Sequence, residues 1–227
     1  MSEELSPHED TTANTYTDLG AETQEAYEIS EKSRNLVRRL IGDRNDEDRI
    51  RQRCSIAVGD VTMAGLLRFN RDPIQAGLSA LAGKKPLITD IRMVQVGIQK
   101  KGHGSRIYCA LDRGSELYRG SGITRTSAGF LDFREQMERG VVVIGNAPSA
   151  LLTVCQMVRE GLHPALVIGT PVGFVNAAES KEALRSLNIP SISTLGTRGG
   201  TPVAVAAMNE IITMFVERQG MQADAAY

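Results

Sequence analysis

The last third of the chain repeats one unit three times, and this repetition restricts the fold more than any other feature. Val141-Val142-Val143-Ile144 runs into Gly145-Asn146-Ala147-Pro148 and a helical stretch over 149–160. Ala165-Leu166-Val167-Ile168 runs into Gly169-Thr170-Pro171-Val172-Gly173-Phe174 and a helix over 177–187. Ser191-Ile192-Ser193-Thr194 runs into a Gly/Pro loop over 196–202 and a helix over 203–217. Strands that alternate with helices build a parallel sheet with right-handed crossovers. Unbroken Val/Ile runs mark strands covered on both faces. The sequence therefore predicts a three-layer, doubly wound α/β fold with a mainly parallel sheet, in a single domain.

Upstream the pattern is sparser. Ala26, Ile29, Ser33, Leu36, Val37 and Leu40 recur at helical spacing and predict a helix over 20–40, closed by Gly42 and Asp43. The apolar run at 54–58, ended by Gly59-Asp60, predicts a short buried strand. Asp72 as cap and Pro73 at the first helical position predict a helix reaching Gly83. Residues 86–89 predict a strand running into Asp90, and 106–111 another. A long helix is predicted over 124–139, with Gly140 as its stop.

The chain has 227 residues, 41% hydrophobic and 23% charged, enough to bury a sizeable core. Residues 1–18 are polar and acidic and predict a disordered arm. The domain is expected over 19–218, with a short tail over 219–227. Eight acids and no Lys or Arg fall within residues 1–28, which leaves 19 acids against 26 bases in the rest, a balance of +7. An acidic, solvated arm thus precedes a mildly basic body, a charge pattern that suits an anionic ligand. Nucleic acid is disfavoured: there are five Phe, five Tyr, no Trp and no basic stripe interleaved with aromatics. No apolar run approaches the roughly 18 residues of a membrane span. An N-terminus with no apolar core of a signal peptide predicts a cytoplasmic protein. Cys54, Cys109 and Cys155 are odd in number and widely spaced, which predicts reduced thiols and no metal site.

In a doubly wound sheet, ligands bind outside the carboxyl ends of the strands, where the strand order reverses. All three Gly/Pro loops fall on that edge. Each opens a helix whose first N–H groups lack partners and carry positive dipole character, a setting for carboxylates or phosphates. The competing reading is that Gly and Pro are simply common turn formers. No G-x-G-x-x-G follows a strand and no G-x-x-x-x-G-K-[ST] occurs, which argues against nicotinamide and nucleoside triphosphate chemistry. Of the histidines, His8 lies in the acidic arm, His103 in a polar turn over 100–104, and His163 before Pro164 on the edge opposite the loops. There is no Ser/His/Asp motif, no H-E-x-x-H and no C-x-x-C.

Three segments carry a resemblance. They are Ile144-Gly145-Asn146-Ala147-Pro148-Ser149-Ala150-Leu151, Pro171-Val172-Gly173-Phe174-Val175-Asn176-Ala177-Ala178-Glu179-Ser180-Lys181 and Arg198-Gly199-Gly200-Thr201-Pro202-Val203-Ala204. With Thr89-Asp90-Ile91-Arg92-Met93-Val94, Gly97 and Thr124-Arg125-Thr126-Ser127-Ala128, they resemble the precorrin-8X methylmutase family of cobalamin biosynthesis, in the same order and over about residues 20–215. The resemblance implies an isomerase that moves a methyl group from C-11 to C-12 of precorrin-8 or its cobalt form, giving hydrogenobyrinate or cobyrinate. It implies no cofactor, a homodimer with sites near the subunit interface, and a tetrapyrrole substrate rich in carboxylates. It further implies substrate contacts at Ser33, Arg53 and Arg125, and at Asn146, Gly169, Gly173, Ser180, Lys181, Arg198, Gly199 and Gly200. Where the family carries its catalytic histidine, this chain has Ile56, which neither donates nor accepts a proton. Asp60, Asp90 and His103 are the candidate replacements. The alternatives left open are a catalytically reduced or inactive corrinoid-binding homologue, and a pocket for a different tetrapyrrole.

Overall fold

The computed structural model describes residues 23–119 and 122–224; the arm predicted over 1–18 lies outside them. The Thr23 hydroxyl accepts from Ala26 N and opens α1 (Gln24–Ile41), which Gly42 closes by donating to Arg38 O. Helix α2 (Asp46–Val58) starts on Asn45, whose side chain accepts from Asp48 N, with three acids in its first turn. It ends where Gly59, at φ 64°, donates to Ile56 O and Asp60 N donates to Ser55 O. The strand predicted at 54–58 is therefore the last part of a helix. An apolar run this short does not separate a buried strand from a buried helix. The cap at Asn45 and the acids behind it decide the matter.

After a short helix α3 (Met63–Leu66) come β1 (Leu67–Asn70), α4 (Pro73–Ala82), β2 (Leu87–Thr89), α5 (Arg92–Gly97), β3 (Ile107–Cys109) and α6 (Ser115–Tyr118). Then follow α7 (Arg125–Asp132), α8 (Arg134–Met137), β4 (Val141–Ile144), α9 (Pro148–Arg159), β5 (Leu166–Gly169), α10 (Ala177–Arg185), β6 (Ser191–Thr194) and α11 (Thr201–Asp224). Pro73 begins α4 as expected, but Asp72 sits at φ 50° and its side chain makes no capping bond. The single long helix predicted over 124–139 is two: the chain turns at Phe133, which is buried and lies against Tyr108 with ring centroids 5.5 Å apart. Anchoring that ring in the core redirects the backbone, and Gly140 still ends the segment. The last helix runs through Asp224, beyond the expected end at residue 217.

The six strands lie in the order β1-β6-β5-β4-β2-β3. Strands β2 to β6 are parallel to their neighbours, and β1 is an antiparallel edge strand with Leu67 opposite Thr194. The chain goes outward from β2 to β3 and returns to β4 on the other side of β2, so the order reverses between β2 and β4. Strand residues alternate between two cores. Val141, Val143, Leu166 and Ile168 face α4, α5 and α11, while Val142, Ile144 and Val167 face α7, α9 and α10. The fold is thus a single-domain α/β sandwich, a mostly parallel sheet with helices on both faces. Cys54, Cys109 and Cys155 are buried free thiols. Among the described residues no helix is long and apolar enough to cross a membrane.

Helix α2 packs antiparallel along α11 and joins it through a buried charge cluster. Glu210 is fully buried on α11 and accepts from Arg34 of α1 at 2.8 Å, and from Arg49 and Arg53 of α2 at 2.9 and 3.1 Å. Arg49 also holds Glu217 at 2.8 Å, and Arg53 donates to the Thr213 hydroxyl at 2.9 Å. Burial works to raise the Glu210 pKa, but Arg34, Arg53 and Arg49 outweigh it and hold the carboxyl below its ordinary value. Glu210→Gln leaves three guanidiniums around a neutral group, and urea unfolding at neutral pH is expected to show a loss of about 3–5 kcal/mol. Because the folded pKa is depressed, this stabilisation is complete above the ordinary value of 4.5 and is lost as pH falls through the folded value. The gap between wild type and Glu210→Gln should therefore narrow only in acid.

Candidate active site

The reversal of strand order opens a crevice between the carboxyl ends of β2 and β4, the position at which such sheets receive ligands. Here the chain fills it with its own carboxylate. Asp90 is fully buried, and its Oδ2 accepts from Asn146 N at 2.7 Å and Ala147 N at 3.0 Å, while Oδ1 accepts from Ile91 N at 3.0 Å. Burial raises its pKa, and the amides of Asn146, Ala147, Gly145 and Ile91 pull the other way. The first of the three anion-ready helix starts is therefore already satisfied from within. The open part of the edge lies over β5 and β6.

There the two remaining loops are joined. Gly200 N donates to Thr170 O at 2.6 Å and Gly173 N to Thr197 O at 3.1 Å. Gly199 and Gly200 sit at φ 157° and 111°, and a Cβ on Gly199 would lie 2.3 Å from Thr170 O, so no other residue allows this approach. Lys181 lies underneath, fully buried, donating to Thr194 Oγ1 at 3.1 Å and Arg198 O at 2.8 Å. Burial, with a contribution from Arg185, pushes its pKa down to about 8. The Arg198 side chain reaches outward, donates to Thr62 Oγ1 at 3.0 Å and forms an ion pair with Asp60.

The carboxyl end of α2 arrives at the same place. Cys54 Sγ faces Val203 O at 3.6 Å, and burial pushes its thiol up to about 12, so it is inert. Ile56 is half-buried in the last turn of the helix, and Asp60 follows the closing glycine. Asp60 accepts from Thr62 Oγ1 at 2.7 Å and Thr62 N at 2.8 Å; those bonds and Arg198 hold its carboxyl below its ordinary value. It is an ionised partner rather than a proton donor near neutral pH.

The other expected site residues divide by position. Arg125, exposed at the start of α7, donates to Leu111 O at 3.2 Å, and Asn146 is exposed beside Asp90. Both belong to the carboxyl edge, as does Gly173. Gly169 serves packing instead: a Cβ there would lie 2.7 Å from Leu184 and 3.0 Å from Leu151. Ser180 is buried and bonds Ala177 O within its own helix. Arg53 is turned into the Glu210 cluster, and Ser33 on α1 neighbours Arg34 of that cluster, level with the middle of α11. The single chain does not bring Ser33 and Arg53 to the loops. His103 lies at the opposite edge of the sheet, just before β3, where the adjoining Gly104 packs on Lys84. Its Nδ1 accepts from Ser105 N at 3.2 Å, which leaves Nε2 to donate to Gln99 O at 2.8 Å. His163 is also at that edge, as expected, its N–H bonded to Glu138.

Two features escaped the reading of the sequence. Phe174 and Val175 stand 95% and 75% exposed at the tip of the β5–α10 loop. The signal was present: an aromatic residue between Gly173 and Asn176, on a loop at the ligand edge, has no core to enter. Arg92, at the start of α5, adds a third guanidinium to this edge and pairs with Asp112 in the turn that Arg125 also touches.

The fold and edge define a class: a doubly wound α/β protein whose open site combines guanidiniums and apolar tips with no nucleotide-binding loop. The comparisons are more specific. The family model for precorrin-8X methylmutase matches residues 28–214. The cobalt-precorrin-8 methylmutase of Methanocaldococcus jannaschii is 41% identical over 86% of this chain and 96% of its own length. That of Methanothermobacter thermautotrophicus is 42% identical over 88% and 99%. The crystal structure of the Thermus thermophilus precorrin-8x methyl mutase superposes with a TM-score of 0.78 at 31% identity, covering 84% of this chain and 97% of that one. The chain belongs to the precorrin-8X methylmutase family.

Asp90→Ala strips the acceptor from the amides of Ile91, Asn146 and Ala147 and is expected to cost about 3 kcal/mol in urea unfolding. Asp90→Asn, with one acceptor oxygen left, should recover part of that loss.

Proposed function

We propose that this chain is an isomerase that moves one methyl group from C-11 to C-12 of precorrin-8 or cobalt-precorrin-8. The C-11–methyl bond breaks and the C-12–methyl bond forms, so mass is unchanged while conjugation changes. The observation that carries this reading is the carboxyl edge itself. Arg92, Arg125 and Arg198 all stand at this edge with their guanidiniums turned outward, and Phe174 and Val175 stand exposed on the β5–α10 loop of the same edge. Several cations and exposed apolar side chains on one edge suit a flat macrocycle fringed with carboxylates. The relatives named above are methylmutases of this substrate class.

The chemistry asked of the protein is restraint. Binding a substrate part-way to its reactive conformation supplies about 1–5 kcal/mol of barrier reduction. The guanidiniums fix the peripheral carboxylates, and Phe174 and Val175 offer apolar contact to the ring. The candidate proton donors are poorly disposed. Asp60 is ionised and paired, Asp90 is tied to the start of α9, and His103 is at the far edge. We therefore favour positioning without a side-chain acid at residue 56.

The same proposal includes a homodimer working in the cytoplasm. Ile29, Leu36 and Leu40 are 59%, 52% and 61% exposed and share one face of α1 with Ser33. An apolar stripe of this kind is suited to cover by a second copy. A partner's α1 would also bring a Ser33 toward an edge that the chain's own Ser33 does not reach. Leu36→Glu with Leu40→Glu is expected to convert a dimer to a monomer in sedimentation, with turnover falling at least about tenfold.

The deciding assay is anaerobic incubation with precorrin-8 and with cobalt-precorrin-8, followed by visible spectra and mass together. Turnover without change of mass is expected for the wild type, and Ile56→His should raise it about tenfold or more. Tight binding without turnover, cured by Ile56→His, would replace the enzyme with a corrinoid-binding homologue. Arg125→Ala and Phe174→Ala should each weaken substrate binding about tenfold.

A further inference from the structure

Lys181 lies in the motif that most closely marks the ligand edge, yet it has no exposed surface. A ligand arriving from solvent cannot touch it. What it touches instead is the underside of the β6–α11 loop. Its ammonium donates to Arg198 O at 2.8 Å and Thr194 Oγ1 at 3.1 Å, and that hydroxyl donates to the same Arg198 carbonyl at 2.7 Å. Ammonium, hydroxyl and carbonyl close a triangle, and its outer corner is the backbone of Arg198. Beyond that corner, Gly199 packs on Thr170 and Gly200 bonds to it. The loop is thus held from below by Lys181 and from the side by the β5 loop. Its guanidinium, 47% exposed, projects outward and is steadied by Thr62 and Asp60.

Stability alone does not explain a lysine here. Burying an ammonium carries a desolvation penalty, and an apolar side chain of similar volume in such a place is often neutral or stabilising. What an apolar residue cannot do is fix a carbonyl and hence the direction of the side chain beside it. We propose that Lys181 is a positioning residue that acts through the Arg198 backbone, aiming that guanidinium as the anchor for one peripheral carboxylate of the substrate. This rests on the polycarboxylate reading of the edge given above. An arginine aimed in advance loses less freedom on binding, and its planar fork suits a carboxylate.

Two measurements test the proposal. The first needs no ligand. In Lys181→Met, backbone hydrogen exchange at Gly200 and Gly173, whose N–H groups join the two loops, should accelerate at least about tenfold while β4 stays protected, reporting local rather than global opening. Unchanged loop exchange would overturn the proposal. The second is a double-mutant cycle on the binding of hydrogenobyrinate and cobyrinate. Lys181→Met and Arg198→Ala should each weaken binding about tenfold, and the double variant should be no more than about threefold weaker than either. Multiplication of the two losses, about a hundredfold, would mean that Lys181 acts independently of Arg198 and would overturn the proposal. Thr194→Val removes the hydroxyl corner while keeping the lysine, and it should weaken binding in the same direction if Lys181→Met fails to fold. A wild type that binds neither corrin acid would overturn the polycarboxylate reading and the anchor with it, while the exchange measurement would still decide whether Lys181 sets the loop.

Discussion

The Asp90 carboxylate at the reversal of strand order determines how the rest of this molecule can be used. A doubly wound sheet creates a crevice at that point by topology alone. In this chain the crevice is closed by three short hydrogen bonds between one buried carboxylate and backbone amides from β2's exit and the start of α9. Closing it ties the two halves of the sheet together. It also removes the position at which a nucleotide phosphate would otherwise sit. The open edge is displaced to β5 and β6, where the loops end in glycines, and to the guanidiniums on either side. A protein for a broad, multiply charged ligand has little use for a single deep phosphate pocket.

Charge is handled differently in the two places where it gathers. Around Glu210 the guanidiniums of Arg34, Arg49 and Arg53 turn inward, and the cluster joins α1, α2 and α11 into one unit. At the carboxyl edge Arg92, Arg125 and Arg198 turn outward and make ion pairs or bonds with exposed partners. Exposed pairs are worth little to stability, commonly under about 1 kcal/mol, so exchanging their partners for a ligand's carboxylates costs correspondingly little. The inward set is fixed because opening it would strand charge in the core. The outward set is available for that same reason in reverse.

The three strand–loop–helix units were legible in the sequence because apolar runs covered on both faces and Gly/Pro punctuation both report directly on a parallel sheet. That the Gly/Pro loops share the carboxyl edge followed from topology. Other parts were not legible, each for a physical reason. Residues 54–58 read equally as strand or helix until the Asn45 cap is given weight. Strand β1 is a short antiparallel edge, Leu67-Arg68-Phe69-Asn70, whose alternation is too brief to stand out. Asp90 was read as a possible acid because its sequence neighbours do not show that α9's amides already claim it. Glu210 left one trace, a lone acid in the otherwise uncharged stretch between Val203 and Phe215, but its partners are remote in sequence. Phe174 sits within a motif whose sequence does not distinguish a buried ring from an exposed one.

Ile56 is the point at which composition and chemistry meet. It stands at the carboxyl end of α2, between an inert thiol and a paired carboxylate, on the way to Arg198. Placing a neutral apolar side chain there keeps the local surface dry. A rearrangement within one molecule transfers no group to the protein and consumes no second reactant. Its barrier responds to how firmly the reacting carbons are held. Loss of one acid–base group typically costs about 10²–10⁴ in rate, and binding a substrate part-way to its reactive conformation supplies about 1–5 kcal/mol, a comparable amount. The two effects are of similar size, so a site that keeps its guanidiniums and loop geometry can retain turnover without a proton donor, and a donor restored at position 56 adds to it.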